Sequence, residues 1–321
     1  MPWPRRSFTP PGTLGTEAPR AAGRQALAFD PGGVEHGRLS AVPGRAPLAS
    51  GRAALHPAGP GGAISDAQPI TGLRPGSIAR NVFLCGDPAR VPRIAHGWSE
   101  LREVCRVREY VAVTGSLGGV QLTAASTGIG GPGTAVLMEE LVKLGAHTFL
   151  RVGNSGGLDP SLALGDLVVT TGAVRDDGTT RSYVVPEYPA VADHELVGAL
   201  LAAGRERGAS VRAGITWSLD AFYVRNAVAT EGGGMASMSA GSYWTRTHAD
   251  RIADMRAARV LNCEMEAGTI LTLASLFGVR AGAICVVSDR TPWPGPAEID
   301  LDHNMAQCIE IATAAMLRVA S

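Results

Sequence analysis

The chain is 321 residues long, 45% hydrophobic and 18% charged, with as many acidic as basic side chains. That balance gives no broad electrostatic case for nucleic acid or an anionic membrane as partner. No apolar run reaches the roughly 18 residues that a membrane span needs, and the length suffices for one large core or two domains.

The first 64 residues are rich in Pro, Gly, Ala and Arg and show no sustained helical or strand period. They are expected to be a disordered extension. They are basic and poor in acids, which leaves a transit peptide open, but they lack the apolar centre of a secretory signal. From about Ser65 the pattern changes, and 65–321 reads as one unit. NVFLCG (81–86) is a short apolar run ending in Gly, and VQLTAAS (120–126) is another, followed by the Gly-rich TGIGGPG (127–133). TAVLMEELVKLG carries apolar positions at helical spacing and stops at Gly145. HTFLRVG (147–153) and GDLVVTT (165–171) read as strands. DHELVGALLAAGRERG (193–208) reads as an amphipathic helix, VRAGITWS (211–218) as a strand, CEMEAGTILTLASLFG (263–278) as a helix and VRAGAICVVSD (279–289) as a strand. DLDHNMAQCIEIATAAMLRVA closes the chain as a helix. Strands alternating with helices predict a single layered α/β domain, with a central, mostly parallel, mixed sheet flanked by helices.

The five cysteines are scattered, with no CxxC spacing and no His/Cys cluster, so neither a disulfide frame nor a metal site is expected. That usage fits a reduced, cytoplasmic protein. Lys143 is the only lysine, so an anion site must be built with guanidinium forks.

In such folds ligands bind at the carboxyl ends of strands. GDPARV (86–91), STGIGGPG (126–133), RVGNSGG (151–157) and VVSDR (286–290) fall there. Gly-rich turns leave backbone N–H groups free to cradle an anion, although Gly also serves simply to permit a tight turn. Arg90 and Arg151 lie inside two of these stretches. Arg151 sits in an otherwise apolar strand, and a buried Arg needs an anionic partner. An internal salt bridge to Glu264 or Glu266 is the plainer account of it. Those two carboxylates flank Met265 in 261-LNCEMEAGTI-270, among apolar neighbours, where Glu is rare unless paired or hydrogen-bonded.

The set 86-GDPARV-91, 108-RE-109, 126-STGIGGP-132, 148-TFLRVGNSGG-157, 165-GDLVVTT-171, 187-EYPAVAD-193, 222-FY-223, 264-EME-266 and 279-VRAG-282 resembles the nucleoside phosphorylase family, most of all its uridine phosphorylase branch. The resemblance covers about residue 65 to the end. It implies cleavage of an N-glycosidic bond by inorganic phosphate, giving a free base and (deoxy)ribose 1-phosphate, with no cofactor or metal. It assigns phosphate binding to Gly86, Arg90, Arg108, Arg151 and the position held here by Asn154. It assigns the ribose to Glu264, Met265 and Glu266. In the family the equivalent of Arg108 comes from the neighbouring subunit, so a homodimer is the implied active unit, commonly within a hexamer. The candidate catalytic residues are Arg151, Glu266, Asp289 and Arg290.

The base pocket departs from the pyrimidine branch. After Phe222, which is placed to stack on a base, the Gln-x-Arg pair that reads uracil is absent, and Arg225 and Asn226 are displaced polar candidates. Asp289 stands where the pyrimidine branch has Asn and resembles the purine branch's proton donor, whereas Arg290 resembles the pyrimidine branch. Pairing of Asp289 with an Arg would leave it only shaping the pocket. Purine nucleosides and 5′-modified adenosine are therefore alternative substrates. Ile70 falls where the family has a neighbouring subunit's His near the sugar 5′-hydroxyl, which suits a 5′-deoxy sugar unless the segment is shifted. A glycosidase acid pair is disfavoured, because its carboxylates flank a bond about 5–9.5 Å apart. Residues i and i+2 do not generally face one target in that way, and three arginines would stay unexplained. A water-using nucleosidase and a degenerate nucleoside-binding protein also remain as readings.

Overall fold

The computed structural model describes residues 66–294 and 299–320. The expected extension, residues 1–64, lies outside them. Twelve strands are present: β1 Asn81–Cys85, β2 Ser99–Val107, β3 Tyr110–Leu117, β4 Val120–Ser126, β5 Thr148–Gly157, β6 Leu167–Asp176, β7 Ala190–Val191, β8 Val211–Leu219, β9 Ala227–Ala229, β10 Met235–Ser237, β11 Asn262–Glu264 and β12 Arg280–Arg290. The helices are α1 Val91–Ile94, α2 Gly131–Lys143, α3 Gly178–Tyr183, α4 His194–Glu206, α5 Phe222–Arg225, α6 Arg246–Ala257, α7 Ala267–Phe277 and α8 Met305–Ala320.

The main sheet runs β11-β8-β6-β12-β5-β1-β4-β3-β2, with β7 beside β6. β11 also pairs with β5, so β5, β12, β6, β8 and β11 close into a ring. The strands around β1 and β5 pair in parallel, as their continuous apolar runs predict. The β2–β3–β4 meander is antiparallel, and so are β6–β12 and β5–β11. The sheet is accordingly more evenly mixed than the apolar runs suggest. Those runs give no sign of β2, because SELREVCRV forms the sheet edge and is mostly exposed. Charged side chains on such an edge discourage pairing with a second chain.

Helices cover both faces. Leu200 and Ala203 of α4 and Met305, Ile311 and Met316 of α8 pack with Phe83, Leu150, Val152 and Ile284 on one face. Leu137, Met138 and Leu141 of α2 and Ile270, Leu271 and Leu273 of α7 pack with Val82, Leu84 and Phe149 on the other. Each such side chain contributes roughly 1.5–3 kcal/mol by leaving water. The helix signals in the sequence act as expected. Asp193 caps α4 by accepting from the N–H groups of Glu195 and Leu196. Gly278 ends α7 in the left-handed region. α7 begins later than its apolar pattern suggests, because residues 262–264 form β11. The EME stretch is thus the turn from strand to helix.

Candidate active site

The strand ends converge on Arg151. Its register partners are Leu84 of β1 and Ala283 of β12, so it lies at the centre of the sheet. Its side chain folds back along β5. A Cβ on Gly153, two residues on, would come within 2.8 Å of the guanidinium carbon. The glycine in RVG is therefore required for space.

Both glutamates meet this arginine. Arg151 Nε donates to Glu264 Oε2 at 2.8 Å, and Arg151 Nη2 lies 2.6 Å from Glu266 Oε2. The three side chains are only 4%, 1% and 5% exposed for Arg151, Glu264 and Glu266. The plainer expectation, an internal salt bridge, is thus met by both carboxylates at once. An i, i+2 pair converges here because the chain turns between them. Glu264 ends a strand, and Glu266 is the N-cap of α7. Glu264 Oε2 also accepts from the backbone N–H groups of Glu266 and Ala267, each at 2.8 Å. A carboxylate there is favoured by the positive end of the helix dipole. Glu266 Oε1 accepts from the N–H of Gly130. Gly130 has φ 89, a conformation open to glycine, and it opens α2. The Gly-rich turn is thereby fastened to the glutamate pair.

One cation between two carboxylates leaves an excess negative charge. Burial opposes the charge on Arg151, but Glu266 and Glu264 outweigh it and push the guanidinium pKa up. Glu266 is raised above the usual carboxylate range, chiefly by burial and, against the pull of Arg151, by repulsion from Glu264. Arg151 therefore stays charged, while burial works against the negative charge of Glu266.

Arg90 joins this centre from the turn after β1. It is buried; its Nη1 donates to Val152 O at 3.3 Å and its Nη2 to Asn154 Oδ1 at 3.0 Å. Asn154 Nδ2 in turn donates to Leu301 O at 3.0 Å. Gly86 opens the same turn and approaches Gly128, whose carbonyl oxygen would lie 3.4 Å from a Cβ at residue 86. Three buried polar atoms here have no hydrogen-bond partner among the described residues: Arg90 Nε, Arg151 Nη1 and Glu264 Oε1. Buried polar atoms are normally paired. Two unpaired guanidinium N–H groups and a carboxylate oxygen suit an oxyanion and a hydroxyl-bearing molecule.

Arg108 is not part of this cluster within one chain. It stands on the turn between β2 and β3, 69% exposed, with only Glu109 at 3.5 Å as an ion-pair partner. The hairpin tip does touch the Gly-rich turn, since a Cβ on Gly128 would meet Glu109 at 2.8 Å.

At the other end, Asp289 follows a bulge in the β12–β5 pairing, an irregularity that re-aims a side chain. It is buried, and Gly156 makes room for it, because a Cβ there would lie 2.5 Å from Asp289 Oδ1. Burial pushes the Asp289 carboxyl up to about 6, against a lowering hydrogen bond from Ser288, and no arginine contributes. The alternative reading, pairing of Asp289 with an Arg, finds no such partner among the described residues. Arg290 points outward and is exposed. Phe222 is half-buried and meets Tyr223 and Trp293 edge-on, with centroids 5.2 and 6.4 Å away. Met265 is half-buried beside the Trp217 cluster.

Two base-pocket expectations change. Arg225 is drawn to Asp176, with Nη1 3.2 Å from Oδ2, and lies over the Trp217 ring. Asn226 is buried, accepts from Thr291 Oγ1 at 2.6 Å and donates to Phe222 O at 2.8 Å. Both use their polar groups internally and brace the pocket wall. Ile70 is 43% exposed, and its N–H is held by Glu140 of α2 at 2.9 Å.

Asp176 and Glu140 escaped the sequence reading. Asp176 ends an apolar strand and precedes DG, which reads as turn chemistry. Glu140 sits at an ordinary helical position. Among the described residues no group of three or more His, Cys, Asp or Glu is placed to hold a metal ion, and no helix is long and apolar enough to cross a membrane.

Comparison with known proteins agrees with this geometry. Residues 80–320 match the family model described as the phosphorylase superfamily. The chain is 45% identical over 214 residues to a uridine phosphorylase of Thermococcus kodakarensis, covering 67% of this chain and 74% of that protein. It is 35% identical over 256 residues to a uridine phosphorylase of Treponema pallidum, covering 78% and 94%. It is also 36% identical over 240 residues to a guanosine phosphorylase of Halorubrum lacusprofundi, covering 75% and 90%.

Proposed function

Because the chain belongs to the phosphorylase superfamily, we propose that it is a nucleoside phosphorylase of the uridine phosphorylase type, a pentosyltransferase. The observation that carries this reading is the buried Arg151–Glu264–Glu266 triad beside Arg90, with its unpaired donor and acceptor atoms. A phosphate oxygen forms a bond to the sugar C1′ as the C1′–N bond breaks. The base leaves with that electron pair and takes up a proton. Arg90 and Arg151, with Asn154 and the backbone at Gly86, hold the phosphate. Arg108 completes the clamp from a neighbouring subunit, in a homodimer that assembles further into a hexamer. Glu266 and Glu264 accept from the ribose hydroxyls while Met265 packs on the sugar. Their negative charge favours the oxocarbenium character that builds up as the bond breaks. Phe222 stacks on the base. The reaction needs phosphate as co-substrate and no cofactor, and it serves nucleoside salvage in the cytoplasm.

A purine substrate is the second reading. Asp289, with its carboxyl raised to about 6, is suited to give a proton to a purine ring nitrogen, and one relative is named a guanosine phosphorylase. Incubating the protein with uridine, guanosine and adenosine, with and without phosphate, tests both. Base release should require phosphate. Equal release in phosphate-free buffer would point to a nucleosidase and overturn the proposal.

A further inference from the structure

Outside the sugar end of the site, the Asp176 carboxylate meets the side chains of four residues, three of them arginines. It closes β6 and is buried. Trp217 Nε1 of β8 donates to its Oδ2 at 3.0 Å. Arg225 of α5 straddles it, with Nη2 3.3 Å from Oδ1 and Nη1 3.2 Å from Oδ2. Arg251 Nε of α6 donates to Oδ2 at 3.4 Å, and Arg181 Nη2 of α3 lies 3.7 Å from Oδ1. One carboxylate thus ties four elements together.

One of those elements, α5, carries Phe222. α5 is only four residues long and is entered through Ala221 at φ 60, a conformation unfavourable for a residue with a Cβ. So short a helix does not hold itself. Phe222 opens it, and Arg225 closes it on Asp176. Behind it, Asn226 and Thr291 link α5 to the segment that follows Asp289. The fork of Arg225 is fully turned to Asp176, which withholds it from a base edge.

From this juxtaposition we infer that Asp176 is a positioning residue for the base end of the site. It fixes the angle at which α5 presents Phe222, and it keeps Arg225 out of base recognition. The inference rests on the phosphorylase reading of Phe222. Arg225 is the intermediary, so removing either partner should loosen α5 alike, whereas only Asp176→Asn frees the Arg225 fork to reach a base edge.

The test uses the full chain with Asp176→Asn and Arg225→Gln, alone and together. The carboxamide oxygen of Asn keeps an acceptor for Trp217 but removes the charge that holds the arginines. KM for the nucleoside should rise about tenfold, the equivalent of one charge-assisted contact. KM for phosphate should stay within about twofold of wild type. The preference between purine and pyrimidine nucleosides should shift in Asp176→Asn, where Arg225 is freed, and the nucleoside KM of the double variant should be no worse than that of either single one. Unchanged nucleoside KM and base preference in Asp176→Asn, or both KM values rising together, would overturn the inference. Effects of the two substitutions that simply add would overturn it as well. Failure of the phosphorylase reading would appear separately, as wild-type protein without phosphate-dependent turnover.

Discussion

At the sugar end of the site, Arg151 and Glu264 sit on strands of the central ring, and Glu266 caps a fully packed helix. At the proposed base end, Phe222 and Arg225 ride a four-residue helix, and the short β9–β10 ribbon follows it in the chain. The first region is buried, closely paired and anchored by strand register. The second is half-exposed and held by a few side-chain contacts. The contrast follows from the chemistry each must perform. In the proposed reaction the pentose and the phosphate co-substrate are shared by all nucleoside substrates, so the groups that hold them can be built into the rigid centre. The base varies, so its contacts fall on elements that can be altered without disturbing the sheet.

Arg151→Ala should give the largest effect. It leaves two buried carboxylates without their cation, a loss typically worth about 3–5 kcal/mol of stability. Turnover should fall by about 10²-fold or more, as when a single preorganised electrostatic group is removed. Thermal unfolding and steady-state rates read the two separately. Near-normal turnover would remove Arg151 from the chemistry.

Asp289→Asn acts at the other end and should separate the substrates. If purines are cleaved with Asp289 as acid, their rate should fall by about 10²–10⁴-fold while pyrimidine rates change little. The pH dependence has a definite sign. The carboxyl is raised to about 6 by burial, so the protonated acid is lost as pH rises through that value. Purine kcat/KM should decline above about pH 6, and the Asn variant should lack that limb. The same shift bears on stability. A raised Asp favours the fold least once it is ionised, so its contribution worsens from about pH 4 to about pH 6 and stays unfavourable above. At neutral pH the Asn variant should therefore unfold at a higher temperature than wild type. A lower midpoint at pH 8 would contradict the burial argument.

Subunit mixing should give a smaller, partial signal. Arg108 lies on an exposed tip apart from Arg90 and Arg151. If it serves a neighbouring site, co-assembled Arg108→Ala and Arg151→Ala subunits should regain some activity that neither has alone, because some mixed sites contain both arginines. The smallest change is expected from removing residues 1–64. Their Pro- and Gly-rich composition sets them apart from the rest of the chain, and turnover and solubility of the shortened chain should match the full one.

The pairing of Arg151 with Glu264 and Glu266 was legible in the sequence. An arginine inside the apolar strand 147–153 demands an acid, and EME among apolar neighbours demands a cation. The turn that lets both glutamates reach Arg151 was not legible, because CEMEAGTILTLASLFG has helical apolar spacing throughout. β11 forms there through pairing with β5 and β8, which local pattern does not encode. The need for Gly153 and Gly156 is likewise a matter of space. Each makes room for a side chain, Arg151 in one case and Asp289 in the other, that no local spacing identifies. The base end was read less well. Arg225 and Asn226 have the right chemistry for a base edge, but their partners Asp176 and Thr291 are distant in sequence. Position next to Phe222 did not show that both were already engaged.

The central claim is that the Arg90–Arg151 centre delivers phosphate to the sugar. Phosphorus NMR of the wild-type protein with a cleavable nucleoside and inorganic phosphate tests it most directly. A sugar 1-phosphate resonance should grow in step with release of the free base, at the expense of inorganic phosphate. Free base appearing while the phosphate signal stays constant would contradict the account.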